Sequence, residues 1–295
     1  MTVLEIIKRS TDFLARKGVD SPRLQTELLL AHLLNMPRMK LYLNFERALT
    51  PSEVERFRDL IQRRGQREPL QHLVGSTSFC GLEIGLNPHV LIPRPETELL
   101  AERGWQFLSQ LSTTNPHLST ALDFGAGSGC VAIALAVKSP AVQVYALEIC
   151  ADATAVARQN AERHGVTERI QFFEGDGFAV LPAALAFDLI ISNPPYIRTA
   201  EIETLQPEVR DYEPRCALDG GEDGLDYFRR LAAEAFPFLK PSGALMVEFG
   251  DGQAEPIREI FQREKWIVDA IHDDYTRRPR ILVAKRPHRT TDGHR

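Results

Sequence analysis

The chain is poor in cysteine, and none of its four (Cys80, Cys130, Cys150, Cys216) forms a CxxC pair. That scatter speaks against a disulfide or zinc framework and fits a reducing, cytoplasmic setting, with no metal site expected. No apolar run approaches the ~20 residues of a membrane span, so no membrane partner is expected. The stretch Met1-Thr2-Val3-Leu4-Glu5 lacks the basic stretch and apolar block of a signal peptide. Internal repeats and low-complexity segments are missing as well. So is a concentration of positive charge. Net charge is −5, with 13 Lys/Arg against 9 Asp/Glu in residues 1–75 and 22 against 31 in the remainder. A mildly basic front on an acidic body leaves room for a macromolecular partner. It argues against direct nucleic-acid binding, which needs a strong basic face.

At 295 residues there is length for one large or two modest domains with real cores. Residues 1–75 read as a helical domain. Ser21-Pro22 has the form of a capping hydroxyl with proline at the first helical position. Leu24, Leu28, Leu29 and Leu33 follow it as an apolar stripe at helical spacing. Thr50-Pro51-Ser52-Glu53 is a capping box. Residues 76–119 form a hairpin (78–86) and linker, in which Pro93-Arg94-Pro95-Glu96-Thr97-Glu98 is a stiff, charged loop opening a helix, and 112–119 a polar loop. Residues 120–286 alternate strand and helix, which predicts a parallel sheet with helices on both faces, and 287–295 is a flexible tail. The last βα units place a helix over 225–239, a strand over 244–249, and two final strands near 266–271 and 280–284.

Two strand ends carry the chemistry. Gly125-Ala126-Gly127-Ser128-Gly129 lies between a strand and a helix, where glycine lets the backbone turn tightly and approach a ligand. Glu148 follows Gly129 by 19 residues, at the end of the next strand, placed to accept ribose hydroxyls. Dinucleotide-binding proteins share both features. The GxGxG spacing and the carboxylate of Asp123 beside the loop favour S-adenosylmethionine, because a carboxylate there suits a sulfonium and an amino group better than a pyrophosphate. Asp176 ends the third strand and is expected to accept from the adenine amine, with Gly177 and Phe178 beside the ring.

The second strand end is Asn193-Pro194-Pro195-Tyr196, closing the apolar run 187–192, which reads as a buried parallel strand. Prolines have no N–H, so this backbone offers chiefly carbonyl oxygens, and Asn193 adds a side-chain oxygen. Such a pocket suits an NH₂ group, a carboxamide or an aromatic amine. Asn193 and Pro194 are the candidate catalytic acceptors. Pro195 and Tyr196 complete the substrate site, and Asn193 also borders the cofactor. An adenine-amine methyltransferase can use the same tetrapeptide, and a non-catalytic cofactor-binding adaptor can use the same glycine loop.

Together the loop 93–100, the stretch 123–129, Asn193–Ile197, and Tyr212-Glu213-Pro214-Arg215 with Ala217–Gly221 resemble the HemK/PrmC family of release-factor glutamine methyltransferases over almost the whole chain. The resemblance implies a Rossmann-like methyltransferase sheet with a small N-terminal helical domain for substrate recognition. It implies S-adenosylmethionine as donor and class I peptide chain release factors as protein substrates, methylated on the glutamine of their Gly-Gly-Gln loop. Glu148 stands where the family often has Asp. His72 and Cys80 stand where aromatics are usual, and Cys80 between Phe79 and Gly81 is similar to the sibling family that methylates a ribosomal-protein glutamine.

Overall fold

A computed structural model describes residues 1–114 and 118–287. The expected tail at 287–295 lies outside the described residues from 288 on. The chain divides into two compact units, the first of which comprises Met1–Thr77, Leu86–Pro88 and Leu205–Glu213.

The first unit is helical because its helix starts are written locally. Thr2 and Glu5 form a reciprocal capping box at the head of the helix Val3–Arg16, and Thr50 and Glu53 form another at Pro51–Gly65. Ser21 does not cap the helix Pro22–Leu33. It sits at φ 44, ψ 51 with no side-chain bond to the first turn, so the start rests on Pro22 alone. The buried face of that helix also differs from the expected stripe: Leu29 and Leu30 are inside with Thr26 and Glu27, while Leu24 is exposed. Glu27 is tolerated inside because its carboxylate accepts from Arg23, Arg38 and the Tyr42 hydroxyl. Segment Leu205–Glu213, far along the chain, joins this unit. Arg64 and Arg67 both donate to the Glu208 carboxylate, at 2.6–2.7 Å, and the Tyr212 hydroxyl donates to the Gln66 carbonyl.

Strands β1 (Ser76–Phe79) and β2 (Leu82–Gly85) make the expected hairpin. Its two-residue turn puts both Cys80 and Gly81 at positive φ, 52° and 78°, the type I′ pattern that matches strand twist.

The second unit is built on a seven-stranded sheet. Its strands are β3 (Ser119–Phe124), β4 (Val142–Glu148), β5 (Ile170–Glu174), β6 (Phe187–Ser192), β7 (Leu239–Glu248), β8 (Ile267–Asp273) and β9 (Pro279–Lys285), in the order β5-β4-β3-β6-β7-β9-β8. The first five positions are parallel, and β9 is antiparallel to both neighbours. The sheet is thus parallel, as expected, except for β9. The reason is connection length: β8 and β9 are joined by a short turn, which permits only an antiparallel pair. β6 is buried along its whole length, and its Asp188 is paired with Lys240 at 2.7 Å and accepts from the Thr120 amide.

Two element boundaries move. The helix expected over 225–239 ends at Glu234; a 3-10 turn at Phe236–Phe238 follows, and β7 begins at Leu239. Proline at 237 cannot continue the helical ladder. The helix Pro95–Thr114 extends into the expected polar loop 112–119, of which 115–117 lie outside the described residues. Chain order reverses between β3 and β6, so their C-terminal ends open a crevice. No described helix is long and apolar enough to cross a membrane.

Candidate active site

A cavity opens at those strand ends, bordered by Phe124 at the end of β3, Glu148 at the end of β4, Gly177 after β5 and Asn193 after β6.

The glycine loop forms one wall. Gly125 and Gly127 have φ 76° and 54°, and a Cβ built on either would meet nothing within 4 Å. The open space in front of them is a cradle for a ligand, and it is one a side chain would fill. The amides of Gly125 and Ala126 both donate to the Leu147 carbonyl, which pins the loop to β4. Ala126, Ser128 and Gly129 are buried beside the cavity-bordering Gly125 and Gly127. Gly129 turns the chain into the helix Cys130–Lys138, and the Ser128 carbonyl accepts from Asn160 at 2.9 Å.

Glu148 is held from two sides. Its Oε2 accepts from the Gly127 amide at 2.8 Å and its Oε1 from the Cys150 amide at 2.9 Å. Carboxylate oxygens carry further lone pairs, so a pair of ligand hydroxyls can still be received.

Asp123 takes a different role from the one expected. It is buried, it accepts from the Ala132 amide at 2.9 Å, and it does not border the cavity. Burial pushes its carboxyl up to about 7, with the Ala132 bond opposing and Glu148 adding. It secures the first turn of the following helix to β3.

At the end of β5, Asp176 and Gly177 border the cavity, but Phe178 does not. The Phe178 ring is buried between Phe124 and Phe238, with centroids at 4.9 and 5.2 Å, so it belongs to the core. Hydrophobic burial wins because nothing polar on the ring calls for the crevice. The Asp176 carboxylate is bound by Arg230, a residue that no local pattern singled out. Arg230 also borders the cavity, arriving from the amphipathic helix Asp226–Glu234.

The tetrapeptide after β6 splits likewise. Asn193 and Pro195 border the cavity, while Pro194 is buried. The Asn193 Nδ2 donates to Thr97 Oγ1 at 3.0 Å, so the nitrogen end of the amide is committed and Oδ1 is left for a donor. Tyr196 turns from the cavity into the core. Its ring packs beside Gly250, its carbonyl accepts from Gln253 at 2.9 Å, and burial pushes its phenol up to about 12. At the root of the loop, Ser192 Oγ donates to the Phe124 carbonyl at 2.7 Å, joining β6 to β3. Thr97 sits in the first turn of the helix Pro95–Thr114, a neutral hydroxyl between the charged Glu96 and Glu98 that no local sequence signal marks as a partner of Asn193. Glu98 itself accepts from the Cys80 amide at 3.0 Å.

Comparison with known proteins places the chain. Residues 5–75 match the PrmC N-terminal domain, and residues 102–207 match the methyltransferase small domain. A release factor glutamine methyltransferase of Geobacter sulfurreducens is 47% identical over 262 residues, covering 89% of each chain. One from Chlorobaculum tepidum is 44% identical over 258 residues, covering 86% of this chain and 87% of that one. Among solved structures, the catalytic domain of human METTL16 shares the fold at a TM-score of 0.56 and 16% identity, covering 79% of this chain and 84% of that one.

Proposed function

Because the chain belongs to the release factor glutamine methyltransferase family, we propose that it methylates the glutamine side-chain nitrogen in the Gly-Gly-Gln motif of class I peptide chain release factors. The enzyme is an S-adenosylmethionine-dependent protein-glutamine N-methyltransferase. The observation that carries the site reading is the committed nitrogen of Asn193: with Nδ2 on Thr97, the side chain offers an acceptor to a substrate NH₂.

The residues present fit the donor. The open cradle at Gly125 and Gly127 admits its close approach, and Glu148, fixed by two backbone amides, would receive the ribose hydroxyls. Asp176 and Gly177 would border the adenine, with Arg230 holding the Asp176 carboxylate in place. When bound, S-adenosylmethionine would supply an electrophilic methyl group on sulfur for the amide nitrogen that Asn193 orients.

A carboxamide nitrogen is a poor nucleophile, since its lone pair is delocalised into the carbonyl, the source of the ~18–20 kcal/mol rotation barrier of an amide. Asn193 Oδ1 would accept one N–H hydrogen of the substrate glutamine, and the carbonyl of Pro194, which lies between the cavity-bordering Asn193 and Pro195, would accept the other. They orient the nitrogen and favour the positive charge that develops on it. Fixed dipoles of this kind are worth roughly 3–4 kcal/mol each, by analogy with oxyanion-hole donors. Alignment of the reacting atoms contributes much of the rest. The helical unit recognises protein surface away from the glutamine loop. Its exposed Leu43 is one candidate contact, and Leu43→Ser would raise KM for the whole release factor without raising it for a short peptide.

The test is incubation with methyl-labelled donor and either a class I release factor or DNA. Label should enter the release factor and vanish when its Gly-Gly-Gln glutamine is replaced. Label in DNA, or label in a ribosomal protein alone, would overturn the proposal.

A further inference from the structure

An adenine presents two things to a protein: polar groups along its edge, and two broad flat faces that prefer an aromatic or apolar wall. Asp176 can meet the edge. The face needs another residue, because Phe178, expected beside the ring, is turned into the core. Among the Phe, Tyr and Trp side chains of the described residues, only Phe124 and Tyr227 border the cavity. Phe124 is already committed, 5% exposed and stacked on Phe178 with centroids at 4.9 Å. That leaves Tyr227, which arrives from far along the chain on the helix Asp226–Glu234. Arg230 also borders the cavity and follows Tyr227 by three residues, so both side chains leave the same face of that helix.

Tyr227 is half-buried, with its ring packed against the core of this unit. Burial raises its phenol, Asp176, Cys216 and Glu148 add to the rise, and Arg230 opposes it. All four of those groups border the same cavity, so the polar end of the ring lies among its lining residues. Arg230 is tied at each of its three nitrogens. Nη1 donates to the Asp176 carboxylate, Nη2 to the Asp176 carbonyl at 3.0 Å, and Nε to Glu234 at 3.2 Å. Gly177 permits this close approach, since a Cβ built there would fall on the guanidinium. One Asp176 oxygen is therefore taken up by Arg230, and the other keeps its lone pairs for a donor.

We propose that Tyr227 is the platform on which the adenine of S-adenosylmethionine stacks, and that Arg230, on the same helix face, is a positioning residue that turns Asp176 toward the adenine amine. This rests on the reading of the cavity as the donor site given above. The two residues act on different parts of the base. A ring face holds any purine, because every base has a π-face. A carboxylate can only accept, so it favours a base that carries an exocyclic amine over one that lacks it. Losing the platform should weaken both kinds of base alike, whereas losing the positioning residue should remove the preference between them.

The experiment measures, by titration calorimetry on the full chain, the Kd of S-adenosylhomocysteine and of its purine-riboside counterpart, which lacks the exocyclic amine. Wild type is compared with Tyr227→Leu, Tyr227→Phe, Arg230→Ala and Glu148→Gln. Wild type should prefer the amine-bearing ligand roughly 10-fold, the worth of one charge-assisted hydrogen bond. Tyr227→Leu should weaken both ligands roughly 5- to 10-fold with their ratio kept, the low end for one base–aromatic stack because Leu retains some apolar contact. Tyr227→Phe, which keeps the ring, should stay within about threefold of wild type for both. Arg230→Ala should weaken chiefly the amine-bearing ligand and bring the ratio toward one. Wild-type affinity in Tyr227→Leu beside a weakened Glu148→Gln would overturn the platform and leave the donor-site reading standing. Wild-type affinity in Glu148→Gln would instead overturn that reading. A ratio unmoved by Arg230→Ala overturns the positioning role. If Tyr227→Leu does not fold, NOEs from the adenine ring protons to a tyrosine ring, assigned by their loss in Tyr227→Phe, decide: their absence in wild type overturns the platform.

Discussion

Glu148 Oε2 accepts the Gly127 amide at 2.8 Å, so the carboxylate at the end of β4 is part of the glycine loop before any ligand arrives. With Cys150 on Oε1, the same group joins the loop to the start of the next helix. In Glu148→Gln one of these amides would face an NH₂ group. We expect the S-adenosylmethionine Kd to weaken roughly 10- to 100-fold, the loss of one or two charge-assisted bonds. Titration calorimetry checks this, and unchanged affinity would take Glu148 out of the donor site.

Asn193→Asp replaces the nitrogen that donates to Thr97 with a second oxygen and adds a negative charge. Turnover should drop by about 100-fold, the scale seen when a preorganised polar group is lost. Donor affinity should stay near the wild-type value. A labelled-methyl assay alongside calorimetry separates the two, and an Asp variant as fast as wild type would count against the acceptor role.

Asn160, on the helix Ala151–Arg163, is buried and makes three bonds: from the Gly85 amide, to the Gly85 carbonyl and to the Ser128 carbonyl. Asn160→Ala leaves all three backbone groups without that partner. A loss of about 3 kcal/mol in denaturant unfolding is expected, from the cost of buried unsatisfied groups. A loss below about 1 kcal/mol would mean these groups find other partners.

Buried Asp123 and Glu248 give stability an unusual pH dependence. Both carboxyls are raised to about 7, chiefly by burial. The folded protein thus keeps protons that the unfolded chain has released above about pH 4–5. Their contribution is fully present below that range and is lost as pH rises through about 7. His72 and His272, lowered by burial, act in the opposite direction. Asp123→Asn isolates one contribution, since it is neutral throughout and can still accept from Ala132. From pH 5 to 8, Tm should fall further in wild type than in Asp123→Asn. Parallel curves would contradict the raised carboxyl.

Glu208 bridges Arg64, which is buried, and Arg67. Burial works against its charge, yet the bonds from the two arginines hold its carboxyl below the usual range. Glu208→Ala leaves Arg64 inside without its carboxylate. That should cost about 3 kcal/mol, the scale for breaking one side of a buried pair. It should also expose the 205–213 segment to protease, which limited proteolysis would read directly.

The alternation of strands and helices, the capping boxes at Thr2 and Thr50, the positive-φ glycines and the buried run 187–192 were all determined by local sequence, because each is decided by neighbours within a few residues. Ser21 looked equally local and failed, since a tertiary arrangement put its backbone in the left-handed region. Strand order, the insertion of β9 between β7 and β8, and the capture of Leu205–Glu213 by Arg64 and Arg67 depend on which distant surfaces meet. The same holds within the site. Asn193 was legible as an acceptor from its two prolines, but the nitrogen end of its amide is held by Thr97, 96 residues before it. Phe178 and Asp123 show the converse, since a position at a strand end fixes closeness to the crevice but not which way the side chain turns. Sequence sets what each group can donate or accept. Packing alone decides which partner reaches it.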